Sequence, residues 1–360
     1  MLVRAAADEG LKTFALDCFG DRDTREAAVQ WLPLGEAGSL QIDGAALLDT
    51  LQVLARRGGV QGWIAGAGFE ARPELLEAGA ALLPLYGTAA AGVRQVRDAR
   101  AFFACLDEHG IAHPPVRHEG NGAIGWLEKD SGGCGGWHIR RASWHHEAPT
   151  ARHYWQLEEP GRPMSATFIA NGRDALVLGI NEQIVRPIGE RPFIFHGVIG
   201  PLPVGDVLRR DVSAIVRALS ESFSLRGLCS LDFLQDGERV SVLEINPRPP
   251  ASLALYPRAG LVQAHLRACR FAELPAPLPV SSRVHGNEIF FAPRNLALDG
   301  AAIAEIAAAP DTHDLPHAAG RFRAGDPLCS FSAQGPDALS VKIGLQRLVH
   351  ALHRILERIA

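Results

Sequence analysis

The sequence predicts a mixed α/β and α+β fold in three parts: a short parallel α/β unit, a larger α+β domain and a small strand-rich tail closed by a helix. Three observations carry that prediction. Helical and strand signals alternate in the N-terminal quarter. Apolar segments separated by turn residues then flank one amphipathic helix between Ala123 and Ile245, and the last stretch pairs apolar runs with a long terminal helix. The expected boundaries are 1–93, 94–284 and 285–360.

In chain order, Leu2–Glu9 reads as a helix, Thr13–Asp17 as a short apolar strand, Ala45–Arg57 as a helix and Gly62–Ala65 as a strand. From Val96 to Gly110 the apolar Ala99, Phe102, Phe103 and Leu106 recur at helical spacing, and Gly110 with Pro114 and Pro115 ends the pattern. Strands are expected at Ala123–Leu127, His138–Ala142, Met164–Ala170, Ala175–Gly179, Gly227–Gln235 and Ser241–Ile245, with a helix over Val207–Phe223. The tail holds the strand segments IFFAP and CSFSA. Its closing helix, Pro336 to Ile359, carries Leu348, Leu352, Ile355 and Ile359 on one stripe.

Composition narrows the function. The 36 basic and 40 acidic residues leave a net charge of −4, so no global positive field draws in a polyanion, and nucleic acid is excluded as a partner. Ala78–Val93 is charge-free but interrupted by Gly79, Pro84, Gly87 and Gly92, well short of the roughly 20 apolar residues a spanning helix needs. With no apolar secretory segment at the start, the cytoplasm is the expected location. The six cysteines have neither a CxxC pair nor zinc-ligand spacing, which reads as reduced thiols. His145 and His146 are adjacent and so make a poor chelate on a strand. Gly66-Ala67-Gly68-Phe69-Glu70-Ala71 fits a dinucleotide-binding turn, but no acid follows about 20 residues later; a tight glycine turn between strand and helix is the simpler reading.

Two motifs carry chemistry. Asp236-Gly237 marks a hairpin between Gly227–Gln235 and Ser241–Ile245, which brings Asp232 and Glu244 onto neighbouring strands. The simplest register sets Asp232 opposite Ser241; a longer loop or a bulge would bring it nearer Glu244, and the sequence does not choose between them. Glu244 and Asn246, two apart, share a strand face, so with Asp232 they form an oxygen-only set suited to Mg²⁺ or Mn²⁺. Arg248, two further on, offers a guanidinium fork for phosphoryl oxygens. In the second motif Lys129 ends an apolar strand, and Ser131, Gly132, Gly133, Cys134, Gly135 and Gly136 follow as a loop whose backbone can approach a polyphosphate closely.

Together, a strand lysine with a glycine-rich hairpin followed by D-F…E-I-N-P-R resembles the ATP-grasp superfamily of carboxylate–amine ligases, over roughly Arg94 to Arg270. The resemblance implies an ATP-grasp fold with a pre-ATP-grasp N-terminal domain, a lid at about 115–160 and a metal-binding part at about 161–284. It implies ATP and Mg²⁺ (or Mn²⁺) as cofactors. Lys129 and Arg248 would act in catalysis, and Lys129 with Ser131, Gly132, Gly133 and Gly135 would contact the phosphates. Gln156, Leu157, Glu158 and Glu159 would form the adenine hinge, and Asp232, Glu244 and Asn246 would hold the metal. Glu182, Arg186 and His196 would face the substrate. The implied reaction joins a small-molecule carboxylate to an amine through an acyl phosphate, without a membrane partner. Ligases of this type often dimerise, so a homodimer is the implied assembly.

Two departures stand out. Ala99 occupies the place of a family lysine, for which Arg97 or Arg100 would have to substitute, and Glu158 and Glu159 replace apolar hinge residues. The N-terminal domain and tail are reminiscent of a branch that joins glutamate to an amine in one-carbon-carrier cofactor synthesis, such as the tyramine–glutamate ligases of the methanofuran pathway. Competing readings are an ATP-binding regulatory or assembly protein without ligase activity, and an NAD-binding oxidoreductase built on the glycine turn.

Overall fold

A computed structural model describes residues 1–35, 41–119, 123–142, 152–256, 260–279 and 281–359. His145 and His146 lie outside the described residues.

The N-terminal part runs α1 (Leu2–Asp8), β1 (Phe14–Asp17), α2 (Arg22–Ala27), β2 (Gln30–Pro33), α3 (Gly44–Arg57) and α4 (Pro73–Leu82). β1 and β2 pair in parallel, as an α/β unit requires, and the expected strand at Gly62–Ala65 contributes a single parallel bridge, Trp63 to Leu85. Leu47, Leu51, Phe69, Leu75 and Leu76 build a separate small core here. α1 instead turns to the main body, where both carboxylate oxygens of Glu9 accept N–H groups from the first turn of a helix at Leu261–Phe271.

α5 (Ala90–Arg97) and α6 (Ala99–Glu108) come next. The single helix expected from Val96 breaks at Asp98, whose carboxylate caps α6 by accepting the N–H groups of Arg100 and Ala101. A small sheet then forms from β3 (Val116–Arg117), β4 (Trp126–Asp130), β5 (Ile139–Arg141) and β6 (His153–Leu157), in the order β3-β6-β4-β5.

The main body holds β7 (Arg162–Asn171), β8 (Ala175–Ile188), β9 (Arg191–Gly200), α7 (Asp206–Ser222), β10 (Arg226–Asp236), β11 (Arg239–Asn246) and α8 (Leu261–Phe271). The tail adds β12 (Val284–Phe291), β13 (Leu296–Leu298), α9 (Gly300–Ala307), β14 (Thr312–His313), β15 (Gly320–Phe322), β16 (Pro327–Gly335) and α10 (Ala338–Ile359). Among the described residues β11-β10-β7-β8-β9-β12-β16-β14 form one antiparallel sheet, so the tail strands continue the central one.

That sheet is covered on both faces. Phe168 and Cys229 join the core under α6, α7 and α10, while their neighbours Ile169 and Leu228 join the one under α8. Side chains alternate across a strand, so a sheet buried twice hides residues of both faces, which is why Phe168 and Ile169 in β7 and Leu228 and Cys229 in β10 are all fully buried. Leu352 and Ile355 of the predicted α10 stripe are buried as expected. No helix among the described residues is long and apolar enough to cross a membrane.

Phe233 is fully buried one residue from a β-bulge in β10–β11. Phe233→Ala should cost about 3–5 kcal/mol in urea unfolding, the usual penalty for a large core cavity; a loss under about 1 kcal/mol would mean the sheet is not packed as described.

Candidate active site

The hairpin chooses between the two registers left open by its sequence. Asp236 pairs with Arg239 across Gly237-Glu238, so the turn sits one residue later than the simplest reading, and Phe233 pairs with Val242. A bulge then absorbs Leu243, and Asp232 faces Glu244 directly. The Asn246 amide donates to both carboxylates, 3.2 Å from Asp232 Oδ2 and 3.2 Å from Glu244 Oε1, so the three side chains converge on one point.

Basic groups close in from other elements. Arg97, at the end of α5, donates from Nη2 to Asn246 Oδ1 at 2.9 Å and lies 3.5 Å from Glu244 through Nη1. Arg100 is exposed and pairs with Glu119, so Arg97 is the helix cation that reaches the cluster. Arg248 contacts the Asn246 oxygen at 3.5 Å and binds Glu70 through Nε at 2.6 Å. Lys129 of β4 is buried and donates to Gln156 Oε1 at 2.5 Å. Gln183 of β8 bonds Asp232.

These neighbours set the protonation states. Burial and then the Glu244 charge push Asp232 up to about 7. Burial acts the same way on Glu244, but Arg97, followed by His138 and Lys129, outweighs it and holds this carboxyl below its usual range. Burial brings Lys129 down to about 8, against the pull of Glu244 and Asp232. His138, buried beside them, is driven to about 4 and is neutral at pH 7. Among the described residues, His138 Nδ1, Gln156 Nε2 and Arg97 Nε are buried without a hydrogen-bond partner. Buried polar atoms ordinarily have one, so this group of orphans marks the surroundings of Glu244 as prepared for a polar guest.

The donor set fits a hard divalent cation: two carboxylates and an amide oxygen, with room in the usual shell for water or phosphate. Asp232 and Glu244 fit as they stand. Asn246 as third ligand must turn its oxygen away from Arg97, because the same atom cannot point both ways.

The glycine loop is held from both ends. Asp130 accepts the Gly132 N–H, and the Gly135 carbonyl accepts the Phe195 N–H of β9 at 3.0 Å. Gly136 has φ +82°, and a Cβ there would sit 1.9 Å from the Phe193 carbonyl oxygen. Ser131 and His138 line a small pocket with Arg97, Tyr154 and Glu244. Cys134, Gly135 and Trp137 instead face a cleft of about 1970 Å³ between the N-terminal unit, β9 and the tail.

The remaining candidates lie as follows. Gln156 is buried against Lys129, and the N–H groups of Leu157 and Glu158 are bonded to the Pro115 and Gly125 carbonyls. Glu158 pairs with Arg141, and Glu159 with Ser241 and Arg239. The structure does not bring Glu182, Arg186 and His196 to the large cleft. Glu182 is held by Arg162 and Lys342, Arg186 pairs with the buried Glu288, and His196 packs its ring against Phe291. Glu70 is the cluster residue that the sequence motifs do not single out. It belongs to the glycine turn, where its own carboxylate takes the Gly68 N–H at 2.7 Å, so a dinucleotide phosphate there would have to displace an anion already in place.

Acidic, basic and glycine-rich elements thus meet at one site, and residues 84–252 match the ATP-grasp domain family. The chain therefore carries an ATP-grasp domain over that stretch, a little under half of its length. It is similar to N5-carboxyaminoimidazole ribonucleotide synthetase from Thermus thermophilus, at 18% identity and TM-score 0.69 over 97% of this chain and 94% of that one. L-amino acid ligase from Bacillus licheniformis is similar at 15% identity and TM-score 0.68, over 96% of this chain and 93% of that one. Pyruvate carboxylase from Rhizobium etli gives 16% identity and TM-score 0.68; 96% of this chain is covered, but it spans only 34% of that much longer protein. No curated protein matches the chain in sequence.

This geometry makes two outcomes measurable. Gly136→Ala forces a left-handed backbone on an L-residue and a clash with Phe193, so the loop should leave β9 and MgADP affinity should fall by about tenfold or more in calorimetry; unchanged affinity would separate the loop from nucleotide binding. Because Asp232 carries its proton below about pH 7, a divalent cation must displace it. Mn²⁺ binding with ADP present should therefore weaken as pH falls below 7, approaching tenfold per pH unit, and release a proton detectable by calorimetry in buffers of different ionisation enthalpy.

Proposed function

We propose that the chain is an ATP-dependent, ADP-forming carboxylate–amine ligase that forms an amide or peptide bond through an acyl phosphate. The observation that carries this reading is the convergence of Asp232, Glu244 and Asn246 with Arg97, Arg248 and Lys129 around one point. The division into an N-terminal domain 1–93, an ATP-grasp domain 94–284 with its lid at 115–160, and a tail 285–360 belongs to the same proposal.

In this reading the side chains do electrostatic rather than covalent work. Asp232 and Glu244, with Asn246, would hold Mg²⁺, which when bound supplies charge neutralisation at the phosphates. Lys129, protonated below about pH 8, and the loop Ser131–Gly136 hold the polyphosphate. Gln156 to Glu159 border the base. A substrate carboxylate attacks the γ-phosphorus, and the bond to the ADP oxygen breaks. Arg248, whose Nη2 contacts Asn246, stabilises the charge on the transferred phosphoryl group. An amine then adds to the acyl carbon and phosphate leaves with the electron pair of the C–O bond. The large cleft, which opens beside the glycine loop, is the space for both organic substrates. Glutamate and an amine such as tyramine are the first pair to assay.

The experiment is ADP release from MgATP, with L-glutamate plus tyramine and then pools of amino acids and amines. A ligase releases ADP with at least one pool; a protein that only binds ATP releases none. Glu244→Ala should lower that rate by roughly two decades or more, as removal of a principal electrostatic stabiliser does. Retention of the wild-type rate would refute the metal assignment.

A further inference from the structure

We propose that Glu70, carried by the N-terminal unit, is a positioning residue that aims Arg248 at the transferred phosphoryl group; this rests on the ligase reading above. The glycine turn around Glu70 has no part in that reading, yet it is built to hold this carboxylate. Gly68 adopts φ +107°, where a Cβ would press on Ile42 at 3.0 Å, and its N–H binds Glu70 Oε2 at 2.7 Å. The other oxygen, Oε1, accepts Arg248 Nε at 2.6 Å and lies 3.9 Å from Arg97 Nη2. The Glu70 side chain is 4% exposed, so its charge is shielded from water and faces these two guanidinium groups and the Gly68 N–H.

Gripping an arginine through Nε has a directional consequence. The guanidinium is planar and its donors are fixed in a fork, so an anchored Nε leaves the terminal nitrogens projecting ahead. Among the described residues the other side-chain hydrogen bond of Arg248 is the 3.5 Å contact from Nη2 to Asn246, too long to orient it. Glu70 is 178 positions away in sequence, so the aim of Arg248 depends on how the N-terminal unit is seated on the main body. A phosphate-binding arginine is thereby set by the part of the chain that also lines the large cleft.

The test measures binding of MgADP, with and without fluoroaluminate as a mimic of the phosphoryl group in flight, to the full chain and to E70Q, E70D and R248K, alongside thermal unfolding. The wild type should bind MgADP and tighten by roughly a hundredfold or more when fluoroaluminate is added. E70Q, which offers one acceptor oxygen where two are used, should keep its MgADP affinity and lose most of the tightening. E70D should restore part of it, and R248K should behave as E70Q does. If E70Q tightens as the wild type does, or if its melting temperature and MgADP affinity fall together without a separate loss of tightening, Glu70 is only a structural contact and the inference is overturned. A wild type that binds MgADP without tightening also overturns it. A wild type that does not bind MgADP at all sinks the ligase reading itself.

Discussion

Burying charge is costly, and this structure buries several charges together. Each ion taken out of water costs several kcal/mol, recovered only by close partners of opposite sign. Here Glu70, Asp232 and Glu244 are set against Arg97, Arg248 and Lys129, and the partners come from the glycine turn, α5, β4 and the β10–β11 hairpin. None of these elements can shift without leaving a charge uncompensated, and removing one member of a buried pair costs about 3–5 kcal/mol. The same constraint explains the protonation pattern. Glu244 takes the larger share of the cations and stays ionised, whereas its neighbour Asp232, facing burial and a like charge, retains a proton near neutrality.

Much of this is legible in the sequence because it depends on local periodicity or turn chemistry. The D-G signal locates the hairpin, two-residue spacing puts Glu244 and Asn246 on one face, and a lysine beside a run of glycines picks out the loop. The bulge at Leu243 is not legible. Nothing in Val242-Leu243-Glu244 distinguishes a bulged strand from a regular one, and the choice is made by pairing across the hairpin, where Asp232 gains Glu244 and Asn246 as neighbours. Asp98 reads as part of one continuous helix because its neighbours are periodic, although as an N-cap it starts a new one.

Glu70 escapes the sequence for a different reason. The missing downstream acid argues against a dinucleotide at the glycine turn, but that pattern says nothing of the acid inside the turn. Its partner Arg248 lies far along the chain, and no spacing rule links residues brought together by packing of separate parts. Glu182, Arg186 and His196 present the opposite case. The resemblance sets them toward the substrate, yet the tail supplies Lys342 and Glu288 as partners for two of them and Phe291 as a neighbour for the third. Charged side chains in a strand are poor indicators of substrate contact until it is known what covers that strand.

The glycine loop has two sides with different surroundings, and this bears on how the chemistry would be divided. Ser131 and His138 border the small pocket beside Glu244, while Cys134, Gly135 and Trp137 border the large cleft. In the ligase reading the loop is therefore a wall between the charged cluster that would hold the polyphosphate and the cleft that would take the organic substrates. It is docked on β9 by the Phe195–Gly135 hydrogen bond and by the close approach of Gly136 to Phe193, contacts that any side chain at Gly136 would break. Burial raises the Cys134 thiol, and the nearby Glu70 charge acts in the same direction, so the thiol is held neutral and does not compete as a nucleophile for a phosphoryl group. In the ligase reading, a wall with an inert thiol and glycines where the backbone must come close would screen the reacting atoms and leave the charged work to Lys129, Arg97 and Arg248 behind it.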